Sequence, residues 1–234
     1  MAALTSSLAS LWGQNKGLAF FIGLMLVFRS AVADWNYVPS SSMNPTLVRG
    51  DRVVVNKLAY SLRIPFSLTE IARWGQPQRG DVITFDSPVD EINLIKRVVA
   101  VGGDTIEMHD NMLMVNGQDV QRSLVAESRM IPGEGGLQDA QIWQEQFKNA
   151  NSDVRIEVAR LPAMNRYQNF APVRVPDGTV MVMGDNRDNS NDSRFIGFIE
   201  LRRITGQAVR VALSHDPESF YVPRAGRWWR ALHL

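Results

Sequence analysis

The pattern of hydrophobic positions along the chain changes near residue 37. Before that point, residues 18–28 form an apolar run of 11 positions, and residues 17–33 contain a single charge, Arg29. About 17 residues are the lower limit for a helix that spans a bilayer, and this segment reaches it only if the Arg29 side chain extends to an interface. The pattern predicts one N-terminal transmembrane helix within residues 1–37.

The same segment also has the three parts of a cleaved secretory leader. Lys16 precedes the apolar run, and the small residues Ala31, Val32 and Ala33 follow it. Arg29 separates the apolar run from this cleavage pattern, which favours the anchor. Cleavage after Ala33 would release the rest of the chain.

Two tryptophans flank the apolar run. Trp12 and Trp35 are 23 positions apart, which corresponds to roughly 35 Å along a helix. This spacing suits the aromatic belts at the two faces of a bilayer. Positive charges occur on both sides of the run, so the positive-inside rule gives no orientation.

From residue 38 onward, short apolar runs alternate with turn residues at the spacing of a β-rich domain. We therefore predict a mainly β domain over residues 38–234. Turn pairs such as Asp110-Asn111 and Asn116-Gly117 mark predicted hairpins. The predicted strands are residues 52–56, 81–85, 94–101, 105–108, 112–115, 154–158, 180–183 and 208–213.

Residues 118–172 differ in character from the sequence around them. Glycines at positions 133 and 136 predict a flexible loop, and residues 137–147 have the composition and apolar spacing of a helix. Lys148 would end that helix. We predict that residues 118–172 form a subdomain inserted into the main sheet.

The composition narrows the chemistry that this domain can perform. The chain has 234 residues, with 25 Lys+Arg against 24 Asp+Glu, and this near-neutral balance argues against a nucleic-acid partner bound through bulk positive charge. Cysteine is absent, which excludes thiol nucleophiles, disulfides and thiolate metal sites. A base for proton transfer near neutral pH must come from four lysines, three histidines or a carboxylate.

Residues 39–47, with the sequence PSSSMNPTL, place three serines between two prolines. Such a segment alone is most often a polar linker. Here Met43 and Leu47 bracket its second half and a strand pattern follows, unlike a flexible linker. Ser42 lies nine residues past Ala33, so its chemistry would occur within roughly 30 Å of the anchor.

Residues 94–101 form a strand pattern that is apolar on both faces except for two adjacent cations, Lys96 and Arg97. Because strand side chains alternate, at least one cation must face an apolar layer. Arginine does not deprotonate in practice, whereas burial can lower a lysine pKa from about 10.4 to near 7. Lys96 is therefore a candidate base. A lysine that extends to solvent is the ordinary alternative, and Lys57 is the rival candidate.

Residues 183–194, MGDNRDNSNDSR, are a dense polar segment between two apolar strands. They do not form an EF-hand calcium loop, because Ser193 and Ile199 stand where glycine and a bidentate glutamate are required. The aspartates and arginines of this segment suit a lattice of ion pairs that holds one side chain in place. Ser190 is a hydroxyl that such a lattice could aim.

A Ser-His-Asp triad is poorly supported by the sequence. His109 lies in a predicted hairpin, His215 lies in a polar turn at residues 214–217, and His233 is the second-last residue. A hydroxyl nucleophile with a lysine base is the better match. The RWWR cluster at residues 227–230 suits either the core or a bilayer interface.

Together these motifs resemble those of bacterial type I signal peptidase, a family of membrane-anchored serine endopeptidases that remove leader peptides from exported proteins. The resemblance covers most of the chain after the anchor. It rests on residues 39–47, on GD at 50–51, on RGDV at 79–82, on IKRVV at 95–99 with GD at 103–104, and on GDNRDNS at 184–190 with DSR at 192–194.

The resemblance implies that Ser42 is the nucleophile and that Lys96 is the neutral general base that takes its proton. It implies that Ser40 donates its hydroxyl to the oxyanion beside the N–H of Ser42, and that Ser190 orients Lys96 by a hydrogen bond. The family position before the nucleophile is commonly glycine and is Ser41 here. The residues implied to support the loop are Asp185, Arg187, Asp192 and Arg194.

The resemblance also implies an all-β catalytic core with a smaller insertion and one N-terminal helix. That helix would cross the bacterial cytoplasmic membrane once, with the catalytic domain on the periplasmic side. The implied partners are the lipid bilayer and preprotein signal peptides with small residues one and three positions before the cut (A-x-A type), with no cofactor, metal or nucleic acid. Two alternatives remain: a peptidase dedicated to one substrate, and a membrane-anchored β-domain that binds extended peptides without cutting them.

Overall fold

The computed structural model describes residues 2–67, 69–149, 153–164 and 169–232, with side chains from residue 15 onward. A long helix, α1 (Ala2–Ala31), comes first, and a one-turn helix, α2 (Ser193–Ile196), follows most of the strands. The strands are, in chain order, β1 (Ala33–Tyr37), β2 (Asp51–Asn56), β3 (Ser61–Arg63), β4 (Glu70–Arg73), β5 (Val82–Asp86), β6 (Asn93–Val101), β7 (Thr105–His109), β8 (Met112–Val115), β9 (Gln118–Asp119), β10 (Gln121–Gly133), β11 (Gly136–Lys148), β12 (Asp153–Arg160), β13 (Phe170–Arg174), β14 (Thr179–Met183), β15 (Ile199–Glu200), β16 (Ile204–Asp216) and β17 (Val222–Pro223).

The main sheet carries the candidate site. Its strand order is β1-β2-β16-β5-β6-β14-β15, with β17 paired to β16, and the paired strands are antiparallel. Strand β6 lies inside this sheet, between β5 and β14, and its residues are buried on both faces from Lys96 to Ala100. The strand whose sequence is apolar on both faces therefore lies where both faces of the sheet are covered.

Three smaller sheets complete the described fold. Strands β10, β11 and β12 form a three-stranded antiparallel sheet, and β13, β7, β8 and β9 form a four-stranded one. Strands β3 and β4 pair as a hairpin. The turn between β7 and β8 contains Asp110 and Asn111 at φ 47° and 64°, in the left-handed region that asparagine and aspartate tolerate best after glycine.

The buried apolar side chains form clusters between these sheets. One cluster brings Met43 and Leu47 against Val53 and Val211 of the main sheet. Another joins β6 and β14 to the β7–β8 hairpin and to Phe147 of β11. Because burial of apolar surface is the main favourable term in folding, these clusters fix the position of the turn that follows β1.

The sequence prediction of a mainly β domain is confirmed. Each of the eight predicted strands overlaps an observed strand, although β12 and β16 run further than expected. The polar segment at residues 214–217 was predicted as a turn, but β16 continues through His215 to Asp216 and pairs there with β17. This extension is stabilised by cross-strand hydrogen bonds that turn-forming residues do not reveal.

The helix predicted over residues 137–147 is wrong. This segment is the central strand β11, which pairs with β10 and β12 along its length. The predicted flexible loop at residues 133–136 is the tight end of the β10–β11 hairpin, where Gly133 pairs with Gly136. Lys148 therefore ends a strand.

No helix among the described residues is both long enough and apolar enough to cross a membrane. Arg29, the charge that interrupts the apolar segment, pairs with Asp34 at 2.6 Å and lies over the Trp35 ring at 4.9 Å. The side chain of Trp12 lies outside the described residues.

Candidate active site

The turn that carries Ser42 follows β1 and is closed by backbone hydrogen bonds. Val38 N–H donates to Asp51 O, and Gly50 N–H donates to Val38 O, at 2.9 and 3.0 Å. Within this closed segment, Met43 and Leu47 are fully buried in the core. The two side chains that bracket the motif therefore anchor the turn, and Ser42 is left 8% exposed.

Lys96 meets Ser42 across this turn. Lys96 Nζ lies 2.8 Å from Ser42 Oγ and 3.0 Å from the backbone oxygen of Ile95, and the lysine is only 3% exposed. Burial lowers the pKa of Lys96 to about 8, an effect that the carboxylates of Asp192 and Asp185 partly offset. About a tenth of this amine is therefore neutral at pH 7, far more than for a lysine with its ordinary pKa of about 10.4.

Arg97, the neighbouring cation, points to the other face of β6 and is also buried. Its guanidinium donates to both carboxylate oxygens of Asp185 at 2.7 Å and to Gly80 O at 2.6 Å. The expectation that at least one of the two cations faces an apolar layer is confirmed, since both are buried. Arg97 is paired with Asp185, whereas no carboxylate in the described part of the chain forms an ion pair with Lys96 Nζ.

Ser40 and Ser41, the two residues before Ser42, make different contacts. Ser40 Oγ lies 3.2 Å from Ser42 Oγ. Ser41 faces the polar loop instead, since its hydroxyl accepts from Asn189 Nδ2 at 3.0 Å and its carbonyl accepts from Asn186 Nδ2 at 3.2 Å. A serine at this position is therefore held by two hydrogen bonds. A glycine could make only the one to the backbone carbonyl.

The loop at residues 184–194 begins beside Lys96, because Met183 at the end of β14 pairs with Arg97 of β6. Asn186 N–H donates to Ser42 O at 3.0 Å. Arg194 pairs with Asp192 at 2.8 Å, and Asp192 accepts from Gly184 N–H at 3.0 Å. Of the ion pairs predicted within this segment, the structure shows Arg194–Asp192, whereas Asp185 pairs with Arg97 of β6.

Arg187 and Asp188 bind this loop to the three-stranded sheet. The Arg187 guanidinium pairs with Glu145 of β11 at 2.6 Å. Asp188 accepts from Leu161 N–H at 2.9 Å. Each of the four predicted support residues therefore forms an ion pair, but Asp185 and Arg187 are paired with residues outside the loop.

Ser190 does not make the predicted hydrogen bond to Lys96. Its Oγ is buried and has no hydrogen-bond partner among the described residues, and the amine of Lys96 contacts Ser42 and the Ile95 carbonyl instead. Ser190 nevertheless lies close to the site. A Cβ at Gly184 would overlap both the Ser190 hydroxyl and the Ser42 carbonyl oxygen, so Gly184 leaves room for their approach.

The rival bases lie elsewhere. Lys57 Nζ is 3.8 Å from Asp34 near the end of α1, and Lys148 ends β11. His109 is exposed and contacts Glu107, and His215 lies on β16. His233 lies outside the described residues. In the described part of the chain no three His, Cys, Asp or Glu side chains cluster in a way that could hold a metal ion.

Sequence reasoning missed three residues that hold the site. Asn186 and Asn189 belong to the GDNRDNS motif at residues 184–190. That motif does not indicate that their amides contact the serine turn. Glu145 stood in the segment predicted as a helix, where a glutamate is expected at the surface. The available signal was that Glu145 is two residues before the apolar Phe147, so that in a strand both side chains would lie on one face.

The C-terminal segment also contacts the serine turn. Arg227 pairs with Asp51 at 2.6 Å and donates to Thr46 O at 2.9 Å. Trp228 Nε1 donates to Ser214 O, whereas Trp229 is exposed. The RWWR cluster thus divides between support of the turn and an exposed aromatic surface.

Comparison with known proteins identifies related sequences. A family model described as signal peptidase, peptidase S26, matches residues 12–213. Over 226 residues the chain is 38% identical to signal peptidase I of Pseudomonas aeruginosa, covering 90% of this chain and 76% of that protein. It is 35% identical to signal peptidase I of Pseudomonas fluorescens, with the same coverage. A solved signal peptidase I from Enterococcus faecalis V583 matches at TM-score 0.36 and 25% identity, over 57% of this chain and 97% of that one.

Proposed function

Because this chain belongs to the signal peptidase family S26 and is therefore a hydrolase that removes signal peptides, we propose that it cuts preproteins with a Ser42–Lys96 dyad. The observation that carries the proposal is the 2.8 Å contact between Lys96 Nζ and Ser42 Oγ in a site where the lysine is buried. A nucleophile activated by an adjacent base at hydrogen-bond distance is the arrangement that covalent catalysis requires.

The reaction begins with the neutral amine of Lys96. Its lone pair accepts the Ser42 hydroxyl proton while Ser42 Oγ bonds to the carbonyl carbon of the scissile peptide. The tetrahedral intermediate then breaks its C–N bond, and Lys96 returns the proton to the leaving amine. A water molecule hydrolyses the resulting ester with Lys96 again as base, which releases the signal peptide and restores Ser42.

Ser40 stabilises the oxyanion of that intermediate. Its hydroxyl lies 3.2 Å from Ser42 Oγ, close enough to donate to an oxygen on the carbon that Ser42 attacks, beside the N–H of Ser42. One preorganised donor of this kind is typically worth about 10²–10³-fold in kcat. Ser41 leaves this geometry open, because its own hydroxyl and carbonyl face the loop asparagines.

The preference for small residues before the cut follows from the space next to the dyad. A cavity of about 50 Å³ lies beside Ser40 and Lys96, and its wall includes Val38, Leu94 and Ile95. A cavity of this size, with apolar residues in its wall, suits side chains such as alanine better than large ones. An extended substrate strand would pass along it, with alternate side chains directed inward.

The apolar part of α1 anchors the enzyme in a bilayer. Nine large apolar side chains between residues 18 and 28 are exposed, and such an exposed surface marks a membrane or protein contact. Ser42 follows the end of α1 closely in the chain, so the dyad would work near the membrane surface. We propose a single-pass topology in the bacterial cytoplasmic membrane with the catalytic domain on the periplasmic side.

Cleavage of a purified preprotein by variant enzymes tests the dyad. We expect Ser42→Ala and Lys96→Ala to lower kcat/KM by about 10³-fold or more, because each removes a group that the bond-making step needs. Lys57→Ala is the matched control, since it removes a lysine that pairs with Asp34 instead. Normal cleavage by either dyad variant would reject the mechanism.

A further inference from the structure

The sheet of β10, β11 and β12 lies directly against the loop at residues 184–194. Ala159 N–H of β12 donates to Asp185 O at 2.8 Å, and Arg187 N–H donates back to Ala159 O at 3.0 Å. Ala159 and Asn186 thereby form a parallel bridge. The loop is thus held to the end of a strand that belongs to a different sheet from Lys96.

A buried ion pair strengthens this contact. Glu145 of β11 accepts from Arg187 Nη1 at 2.8 Å and from Nη2 at 2.6 Å, and both residues are only 2% exposed. A bidentate pair of this kind fixes orientation as well as distance. Separating the two charges would leave each buried without a partner, which is strongly destabilising. The paired arrangement is therefore the favourable one.

From Arg187 the contacts lead to the nucleophile. The preceding residue, Asn186, donates its N–H to Ser42 O at 3.0 Å and its side-chain amide to Ser41 O at 3.2 Å. On the other side, Arg187 O accepts from Arg194, which pairs with Asp192. The backbone on both sides of Arg187 is therefore tied to groups around the dyad.

The same sheet touches the serine turn at a second point. Asn44 Nδ2 donates to Pro132 O at 2.5 Å, near the tip of the β10–β11 hairpin. Asn44 is fully buried and lies two residues beyond Ser42. Movement of the hairpin relative to the main sheet would therefore displace the turn at this contact as well.

We propose that Glu145 is a positioning residue for the Ser42–Lys96 dyad and that it acts through Arg187. The proposal rests on the proposed function. Glu145 fixes Arg187, Arg187 fixes the loop, and Asn186 fixes the carbonyl of Ser42. A misplacement of roughly 1 Å at reacting atoms can cost about 10²-fold in rate. Since Glu145 contacts neither Ser42 nor the cavity beside it, its loss should lower kcat and leave KM nearly unchanged.

Steady-state cleavage of a signal-peptide substrate by Glu145→Gln tests this effect. The expected result is a fall in kcat of about 10-fold to 100-fold with KM within about 3-fold of wild type. Glu157→Gln is the matched control, because Glu157 is on the neighbouring strand β12 and pairs with Arg129 at 3.0 Å, away from the loop. The control should retain wild-type kcat.

A second variant separates positioning from stability. In Glu145→Met/Arg187→Met the buried charges are replaced together by apolar side chains, an exchange that is often neutral or stabilising. We expect this double variant to melt near the wild-type temperature, yet to show the same fall in kcat at unchanged KM. Glu145→Asp, which keeps the charge but shortens its reach, should show a smaller fall.

Wild-type kcat in a folded double variant would overturn the positioning role. So would unfolding of all three variants at the assay temperature, since the pair would then serve stability alone. Ser42→Ala is measured in parallel. An active Ser42→Ala enzyme would reject the proposed dyad itself, whereas an inactive one with an unaffected double variant rejects only the role of Glu145.

Discussion

A lysine side chain is charged in most proteins, but Lys96 must be neutral to act as the proposed base. Since burial lowers its pKa to about 8, the neutral fraction grows as the pH rises through that value. We expect kcat/KM for signal-peptide cleavage to rise about tenfold per pH unit below pH 8 and to level off above it. A pH-rate profile from pH 6 to 10 measures this.

Lys57→Ala should reproduce that profile, because Lys57 pairs with Asp34 and not with Ser42. A profile that is flat between pH 6 and 9 would contradict the assignment of Lys96 as the titrating base.

The same burial means that charged Lys96 lowers the free energy of unfolding, by an amount that depends on pH. Below pH 8 both the folded and unfolded chains hold the proton, so the folded state bears the full cost of a buried charge. Between pH 8 and 10.5 the unfolded state binds more protons, and the free energy of unfolding therefore rises with pH. At about 1.4 kcal/mol per pH unit, the gain over that window is about 3 kcal/mol.

Denaturant unfolding of wild type and Lys96→Met at pH 7 and pH 10.5 measures this gain. Other titrating groups cancel in the difference between the two proteins. We expect that difference to move in favour of wild type by about 3 kcal/mol at the higher pH. A difference that does not change with pH would show that the folded-state pKa of Lys96 is close to its unfolded value.

Individual residues differ in how well the sequence predicted them. A strand pattern with apolar residues on both faces predicted burial of at least one of Lys96 and Arg97, and the structure buries both. The partner of Ser190 could not be predicted in this way. A hydroxyl can point several ways within a crowded loop, and in this structure the Ile95 carbonyl, a backbone group with no sequence signature, takes the second contact of Lys96.

At the scale of elements, β11 shows why one prediction failed. The buried positions of this strand are 140, 142, 145 and 147. The first pair faces the cluster that contains Ile131 and Leu161, and Phe147 faces the cluster of the β7–β8 hairpin. Because the strand changes face, the buried positions 142 and 145 are three residues apart instead of two. Together with helix-favouring Gln, Glu and Ala, this three-residue step imitates helical spacing.

Alanine substitutions along β11 test this assignment of faces. Ile142 is fully buried, so Ile142→Ala should lower the free energy of unfolding by about 2–5 kcal/mol. Leu137 is 66% exposed on the same strand, so Leu137→Ala should change it by about 0.5 kcal/mol or less. Chemical denaturation measures both values. Equal costs at the two positions would contradict the observed burial of β11.

At the scale of the whole molecule, the sequence predicted strands but not their neighbours. Strand β16 pairs with both β2 and β5, and in the latter pairing Gly206 is opposite Thr84. Pairing over such separations depends on which apolar faces meet in the core, and many strands here have similar faces. The family resemblance nevertheless predicted that Ser42 and Lys96 lie in one site. Hydrophobic periodicity alone could not predict that long-range contact.

The exposed apolar side chains of α1 lead to a prediction for the full chain. In membranes from an expressing host, we expect the wild-type protein to stay in the pellet after alkaline carbonate washing. Lysine substitutions at Ile22 and Leu26, which are both exposed on α1, should move it to the supernatant. Each lysine costs about 2.5–3.5 kcal/mol at the centre of a spanning helix.

Val89→Lys is the control for added charge alone, because Val89 is exposed outside α1, and this variant should remain in the pellet. Recovery of the wild-type chain in the supernatant would reject the anchor. Equal retention of the double lysine variant would instead assign membrane binding to another surface, such as the exposed Trp229. Since the wild type and the double lysine variant differ only at two exposed positions of α1, their distribution between pellet and supernatant reports on whether the apolar part of α1 lies in lipid.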